Sequence, residues 1–96
     1  MADPTDSKIF SNISATTAPF TLDGGLYMVA VVATFGGGNV ELQGLGPDGS
    51  TYLSLPTALK LSANGMISGY CPPGQYKFVV TTATAVYASV AGIQLS

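Results

Sequence analysis

The chain has 96 residues, of which 47% are hydrophobic and only 8% are charged, and its formal net charge is −2. A chain this apolar lacks the composition of a disordered protein, and its length fits a single domain. Three lysines, with no arginine or histidine, provide too little positive charge to bind nucleic acid through its phosphates. The composition therefore indicates one compact, nearly uncharged domain.

The first eleven residues are predicted to form an N-terminal arm, followed by a single β-sandwich domain over residues 12–96. Pro4 and two aspartates give the beginning of this arm nothing to pack against, so it either frays or becomes ordered on a partner. The same segment lacks the basic start and apolar stretch of a signal peptide, which favours synthesis in the cytoplasm.

Alternation with a period of two predicts a long strand over residues 26–35. Tyr27, Val29 and Val31 share one face of this strand, and the other face is also apolar. Such a strand is expected at the centre of a sheet, covered by the core on one side and by a neighbour or partner on the other. Three glycines and Asn39 then allow a sharp reversal, because both residue types tolerate positive φ.

The next strand alternates between apolar and polar residues. Val40 and Leu42 are expected to point inward, and Glu41 and Gln43 to point outward. A turn is predicted at residues 46–49, where the sequence is Gly-Pro-Asp-Gly and each residue suits its position in the turn.

A return strand over residues 51–55 is expected to end at Pro56, because proline cannot donate a hydrogen bond to a neighbouring strand. Residues 59–61 and 66–70 are then expected to form a short hairpin that reverses at residues 63–65. That turn has the sequence Ala-Asn-Gly.

Two prolines make residues 71–74 a corner, and a strand over residues 75–82 follows with Tyr76 and Phe78 on one face. The last strand, around residues 86–90, is expected to pair with this strand or to close a sheet edge. Seven to nine short strands separated by turn signals indicate an all-β fold. The fold class predicted is an antiparallel β-sandwich of jelly-roll-like form.

Side chains that carry catalysis or bind metals are scarce. Without histidine, serine and threonine nucleophiles lack their usual base, and the five carboxylates form no convincing catalytic pair. The glycine run lacks the ending of a phosphate-binding loop, and no clustered calcium ligands occur. Cys71 has no disulfide partner and is expected to be a small hydrophobe beside a turn. We expect no enzymatic activity, no cofactor and no metal.

A membrane partner is not expected either. Residues 78–96 are uncharged and about long enough to span a bilayer as a helix. They are rich in β-branched and hydroxyl residues, however, which favours strands over a transmembrane helix.

The tyrosines admit two interpretations. Tyr27 and Tyr76 lie within apolar alternation and are expected in the core. Tyr52 and Tyr87 lie opposite the apolar faces of their strands and are better surface candidates. Exposed tyrosines stack on sugar rings, but ordinary packing and subunit contact are the favoured interpretation here.

The predicted outward positions of the strands carry small, neutral side chains. Such a surface costs little to desolvate, unlike one covered by lysine and glutamate, and interface cores are depleted of charge in the same way. We therefore predict a homo-oligomer, with a trimer expected. The outward residues are Thr34, Gln43, Ser50, Ser54, Ser62, Ser68, Thr81, Thr82, Thr84 and Ser89.

Three segments resemble small structural proteins of tailed bacteriophages. They run from Leu22 to Phe35, from Val40 to Tyr52 and from Pro72 to Phe78, and the resemblance covers about residues 20–90. Its motifs are turn and core motifs, and Cys71 replaces the usual leucine before the prolines. Within that group, the chain is most similar to head decoration (cement) proteins.

The resemblance implies a virion protein made in the host bacterial cytoplasm and attached to the capsid exterior. Such a protein has no enzymatic role; it oligomerises and bridges neighbouring subunits of the major capsid protein, through buried area and avidity. The N-terminal arm would reach along the capsid surface. The partner-contact residues expected on this basis are Asp3, Pro4, Lys8, Phe10, Gly37, Asn39, Tyr52 and Tyr87.

Two other classes of protein remain open from the sequence. One is a phage fibre or adhesin module that binds host glycan through exposed tyrosines. The other is a domain of a non-viral β-sandwich scaffold. Loss of glycan binding on replacing Tyr52 and Tyr87 would favour the adhesin.

Overall fold

A computed structural model describes residues 7–93, apart from the side chains at positions 56 and 57. Within residues 7–93 the chain forms eight β-strands and no helix. The strands are β1 (Ser7–Ile13), β2 (Phe20–Leu22), β3 (Gly25–Thr34), β4 (Asn39–Leu45), β5 (Tyr52–Leu61), β6 (Gly65–Cys71), β7 (Gly74–Thr81) and β8 (Thr84–Gly92).

The strands form two four-stranded antiparallel sheets. Sheet A has the order β1-β8-β3-β6, and sheet B has the order β2-β7-β4-β5. The chain passes from one sheet to the other at every connection except the one between β4 and β5. Eight strands wound in this order form a jelly roll, which is two Greek keys folded onto each other. The predicted all-β, jelly-roll-like sandwich is therefore confirmed.

The core lies between the two sheets and follows the period of two. Tyr27, Val29 and Val31 of β3 are buried from one side, and Leu42 and Phe78 are buried from the other. β3 lies between β8 and β6, so its predicted central position is confirmed. Tyr27 and Tyr76 are both buried, as expected.

Three aromatic rings join the two sheets. The rings of Phe10 and Phe20 lie 5.8 and 5.9 Å from that of Phe78, and 5.6 Å from each other. Phe10 comes from sheet A, whereas Phe20 and Phe78 come from sheet B. Such aromatic pairs stabilise a core by about 0.5–1.5 kcal/mol beyond their buried area.

The predicted glycine reversal is confirmed and carries the chain from β3 to β4. Gly36 and Gly37 have φ of 57° and 86°, the left-handed region that glycine enters without strain. Gly38 passes so close to β7 that an added Cβ would lie 1.8 Å from the carbonyl oxygen of Thr81. Only glycine fits at this position.

The predicted turn at residues 46–49 is also confirmed. The carboxylate of Asp48 accepts hydrogen bonds from the Thr51 hydroxyl at 2.6 Å and from the backbone N–H groups of Ser50 and Thr51 at 3.0 and 2.9 Å. These hydrogen bonds hold the pKa of Asp48 well below its usual range, and the bond from the Thr51 hydroxyl contributes most. Gly49 has a positive φ of 76°, which glycine adopts without strain.

The expectation that the return strand ends at Pro56 is wrong. β5 continues from Tyr52 to Leu61, and its register with β4 shifts between Ser54 and Leu59, so residues 55–58 form a bulge. β5 is an edge strand, and a bulge at an edge is where a sheet accommodates proline.

The hairpin predicted from residues 59–61 and 66–70 is wrong, because β5 and β6 belong to different sheets. β6 pairs with β3 along its whole length, and Leu59 packs from sheet B beneath Gly69 of sheet A. The expectation for the last strand is wrong too. β8 lies inside sheet A, between β1 and β3, and neither pairs with β7 nor closes an edge.

The expected boundary of the N-terminal arm falls inside a strand. Residues 7–11 belong to β1, which pairs with β8 from Ser7 to Ile13. The rest of the expected arm, including Asp3 and Pro4, lies outside the described residues. Within the described part of the chain, no helix is long and apolar enough to cross a membrane.

Candidate interaction surface

The outward side of sheet A is an exposed apolar surface, which we call the neutral face. It consists of the outward-pointing residues of β1, β8, β3 and β6, alternate to the core residues of the same strands. Five of its large apolar side chains are between 49% and 74% exposed. They are Ile9, Val32, Met66, Tyr70 and Tyr87.

One row of side chains crosses the neutral face from edge to edge. The strand registers place Ile9 beside Ser89, Ser89 beside Ala30, and Ala30 beside Met66. Small residues in the middle of the row and large ones at its ends create a groove of about 470 Å³. Val32 and Tyr87 also line this groove, so it is apolar along most of its length.

No charged side chain of residues 7–93 points outward from sheet A. Lys8 is in register with the buried Val90, so it lies on the inward side of the edge strand β1, where it is exposed. Glu41, Lys60 and Lys77 belong to the strands of sheet B, and the described aspartates lie in connections between strands. The neutral face therefore offers only apolar and hydroxyl side chains to a partner.

The outward side of sheet B carries the charges instead. Glu41 is only 7% exposed and accepts a 2.8 Å hydrogen bond from the Gln43 amide, while Lys60 lies opposite it in the register. The Lys77 ammonium lies 4.2 Å from the centroid of the Tyr52 ring, which is a cation–π contact. Apart from Lys8, the charged side chains of the described strands thus lie on the outward side of sheet B.

The predicted contact residues do not come together. Tyr87 lies on the neutral face and is 49% exposed, but Tyr52 lies on the outward side of sheet B beneath Lys77. Phe10 is half-buried in the aromatic cluster with Phe20 and Phe78.

The two predicted contact residues of the glycine loop lie together, away from both tyrosines. Gly37 is exposed in the β3–β4 connection, and Asn39 is half-buried at the start of β4, opposite Thr81. Gly37, Asn39 and Lys8 all lie outside the neutral face. The sequence-based set is thus spread over several parts of the molecule.

Three exposed residues of the neutral face were missed. Ile9, Met66 and Tyr70 are 74%, 68% and 65% exposed. The alternation of β6 does place Met66 and Tyr70 on one side, but that side becomes part of a larger surface only through the pairing of β6 with β3. By contrast, most of the Ser and Thr positions predicted to face outward are exposed.

The tyrosines do not form a platform for one sugar ring. Tyr52 and Tyr87 lie on opposite sides of the sandwich. Tyr70 and Tyr87 share the neutral face, but they pair with Leu26 and Val32, six residues apart on β3. At about 3.3 Å per residue, roughly 20 Å separates them, which exceeds the reach of a single ring.

The remaining reactive groups are buried or hydrogen-bonded. Burial raises the pKa of the Cys71 thiol to about 11 and that of Tyr76 to about 12. The Tyr76 hydroxyl donates a hydrogen bond to the Pro72 carbonyl, and Tyr27 accepts one from the Gly24 N–H. Among the described residues, no cluster of three or more His, Cys, Asp or Glu could hold a metal ion.

Comparison with family models, with curated proteins and with solved structures found no match for this chain. Function is therefore inferred from the surface of the molecule. The neutral face is its most distinctive surface, because it is contiguous, exposed and without charge.

Proposed function

We propose that the protein is a non-enzymatic structural component of a bacteriophage virion, a capsid decoration (cement) protein. Copies of it associate and bridge neighbouring subunits of the major capsid protein on the outside of the head. The observation that carries this proposal is the neutral face, with five large apolar side chains exposed on one side of the sandwich.

A face without charge suits protein contact because covering it removes no charged side chain from water. Burying lysine or glutamate costs both hydration and rotamer freedom, whereas burying Ile9, Val32 or Met66 is favourable. Exposed apolar patches of several hundred Å² mark interaction sites on soluble proteins. The neutral face is of this kind.

The size of the neutral face favours binding through several copies. Four strands about 4.8 Å apart and about 25 Å long cover roughly 500 Å². A standard protein interface buries about 800 Å² on each partner, so one copy alone would bind weakly. Linked copies that dock on neighbouring capsid subunits gain affinity through effective concentration, which is how a small protein would hold a shell together.

The fold agrees with this role but does not select it. Jelly rolls occur in viral capsid domains and in lectins, and a fold alone does not define a function. A sugar-binding site needs placed polar groups as well as an apolar wall. The groove of the neutral face has few, since its outward polar side chains are serine hydroxyls such as Ser11 and Ser89. Docking on protein is the better match.

The test is co-sedimentation with expanded empty shells of the major capsid protein of the same phage. Val32→Lys places a charge at the centre of the neutral face, and we expect shell binding at least about 50-fold weaker, because docking would bury that charge. Thr81→Lys is the matched control, since Thr81 is an exposed strand residue on sheet B. Equal binding by the two variants, or no shell binding by the natural chain, would refute the proposal.

A further inference from the structure

The edges of the two sheets differ in how well they are protected. An edge strand leaves alternate N–H and C=O groups free to pair with another chain, and proteins block such edges with charges, prolines, bulges or very short strands. In this sandwich the edge strands are β1 and β6 of sheet A, and β2 and β5 of sheet B.

Three of these edges carry a recognisable block. β1 has Lys8 pointing inward and a register irregularity where Asn12 takes a φ of 53°. β2 is only three residues long. β5 contains a bulge at residues 55–58 with Pro56 in it, and Lys60 beyond.

β6 has no such block. Its seven residues include neither a charged residue nor a proline, and its register with β3 is unbroken from Cys71 to Gly65. Met66 and Tyr70 flank the free edge and are 68% and 65% exposed. The free backbone groups of β6 are therefore accessible along about seven residues.

We propose that β6 pairs antiparallel with β6 of a second copy, about a twofold axis that passes through Ser68. This register places Met66 opposite Tyr70 of the second copy on the outward side, and sulfur–aromatic contacts of this kind are favourable. Ser68 lies opposite its own equivalent, and Ile67 lies opposite Gly69. On the outward side, large residues thus meet large ones at both ends of the pair, and Ser68 meets its equivalent at the centre.

The occupant is a second copy because the strand complements itself. A twofold contact requires each residue to suit its symmetry mate, and in β6 no like charges come to oppose each other. Residues 1–6 of the chain are a poor alternative, since Pro4 lacks a donor and two aspartates would lie against an apolar edge.

The pairing joins the two copies of sheet A into one eight-stranded sheet. Its order is β1-β8-β3-β6-β6-β3-β8-β1, and the two neutral faces become one surface of roughly 1,000 Å². A surface of that size exceeds the roughly 800 Å² that a standard interface buries on each partner. A twofold pair differs from the trimer expected from the sequence, and the molar mass distinguishes them.

The experiment is sedimentation velocity on the isolated full chain at micromolar concentrations, so its result does not depend on capsid docking. We expect a dimer with twice the 9.7 kDa mass of the chain. Ser68→Lys places two ammonium groups opposite each other and should weaken the dimer at least about ten-fold. Ser11→Lys is the matched control, because Ser11 is an exposed serine on β1, the far edge of the same sheet.

A mixture of variants tests the symmetry itself. Ser68→Lys and Ser68→Glu should each dimerise more weakly than the natural chain, whereas an equimolar mixture of the two should recover the dimer, because the opposed residues are then of opposite charge. A natural chain that is monomeric or trimeric would overturn the proposal. So would a dimer that Ser68→Lys leaves intact, or one that the mixture fails to restore.

Discussion

The two outer surfaces of the sandwich are built by the same alternation over the same core, yet they present opposite chemistry. Sheet A displays Ile9, Val32 and Met66 without any charge among the described residues. Sheet B displays lysines beside Glu41, Gln43 and Tyr52. The inward residues set the fold, and the outward residues decide which side of it remains in water and which side is free to be covered.

This difference also separates a hydrated side of the molecule from an apolar one. Lys60 and Lys77 lie in two strands of sheet B, so one side of the molecule retains strongly hydrated groups. The other side carries hydroxyl and aliphatic groups, which lose little on contact with protein. Charge is thus absent from one outer face of the described sandwich and present on the other.

The first prediction separates the shared core from the two surfaces. Phe78→Ala should lower the free energy of unfolding by about 3–5 kcal/mol, because it empties the aromatic cluster between the sheets. Tyr87→Ala, on the neutral face, should change it by only about 0.5 kcal/mol. Urea denaturation measures both. Similar losses in the two variants would mean that the neutral face belongs to the stabilising core of the monomer.

The second prediction concerns the charged surface. Lys77→Met removes the cation–π contact with Tyr52 and should lower the free energy of unfolding by about 0.5–1 kcal/mol. Lys60→Met is the control, because Lys60 is an exposed lysine on the same side and opposite Glu41. If both substitutions have the same effect, the stabilisation comes from the lysine charge in general and not from the tyrosine ring.

The third and smallest effect is a pH dependence of stability that arises from Asp48, in the turn between β4 and β5 of sheet B. Hydrogen bonds from Thr51 and Ser50 hold the folded pKa of Asp48 below the unfolded value of about 3.9. The charged carboxylate therefore stabilises the fold above that value, and the stabilisation is lost as the pH falls below it. The melting temperature should fall less between pH 5 and pH 2 in Asp48→Asn than in the natural chain. Parallel curves would contradict this.

Much of the fold could be predicted from the sequence because alternation reports which residues point inward. Tyr27, Val31 and Phe78 are identified correctly as core residues, and β3 as a central strand. The turn around Asp48 is also predictable, since its residue types satisfy its geometry locally.

Strand pairing could not be predicted in the same way. A period of two assigns each residue to a face but does not say which strand lies beside it. The loop between Leu61 and Gly65 suits a hairpin as well as a passage between sheets, and the choice depends on Leu59 packing beneath Gly69 from the opposite sheet. That contact is visible only in three dimensions.

The neutral face could not be predicted for the same reason, because it depends on which strands pair. Tyr52 and Tyr87 both look like exposed tyrosines in the sequence, but they belong to different sheets and face opposite ways. Met66 and Ile9 are far apart in the chain and come into one row only because β1, β8, β3 and β6 lie side by side. A surface assembled from four strands has no signature within any one of them.

The interior position of β8 has a consequence for how the protein is made. Residues 84–92 form β8, which lies between β1 and β3. These two strands are synthesised earlier, and they cannot join one sheet until β8 is available to pair with both. Sheet A closes only after this late segment has left the ribosome, since pairing between distant strands is the slow part of folding. The row from Ile9 to Met66 is therefore not assembled until β8 has paired with both β1 and β3. A chain in which β8 has not yet paired cannot use this row to associate or to dock.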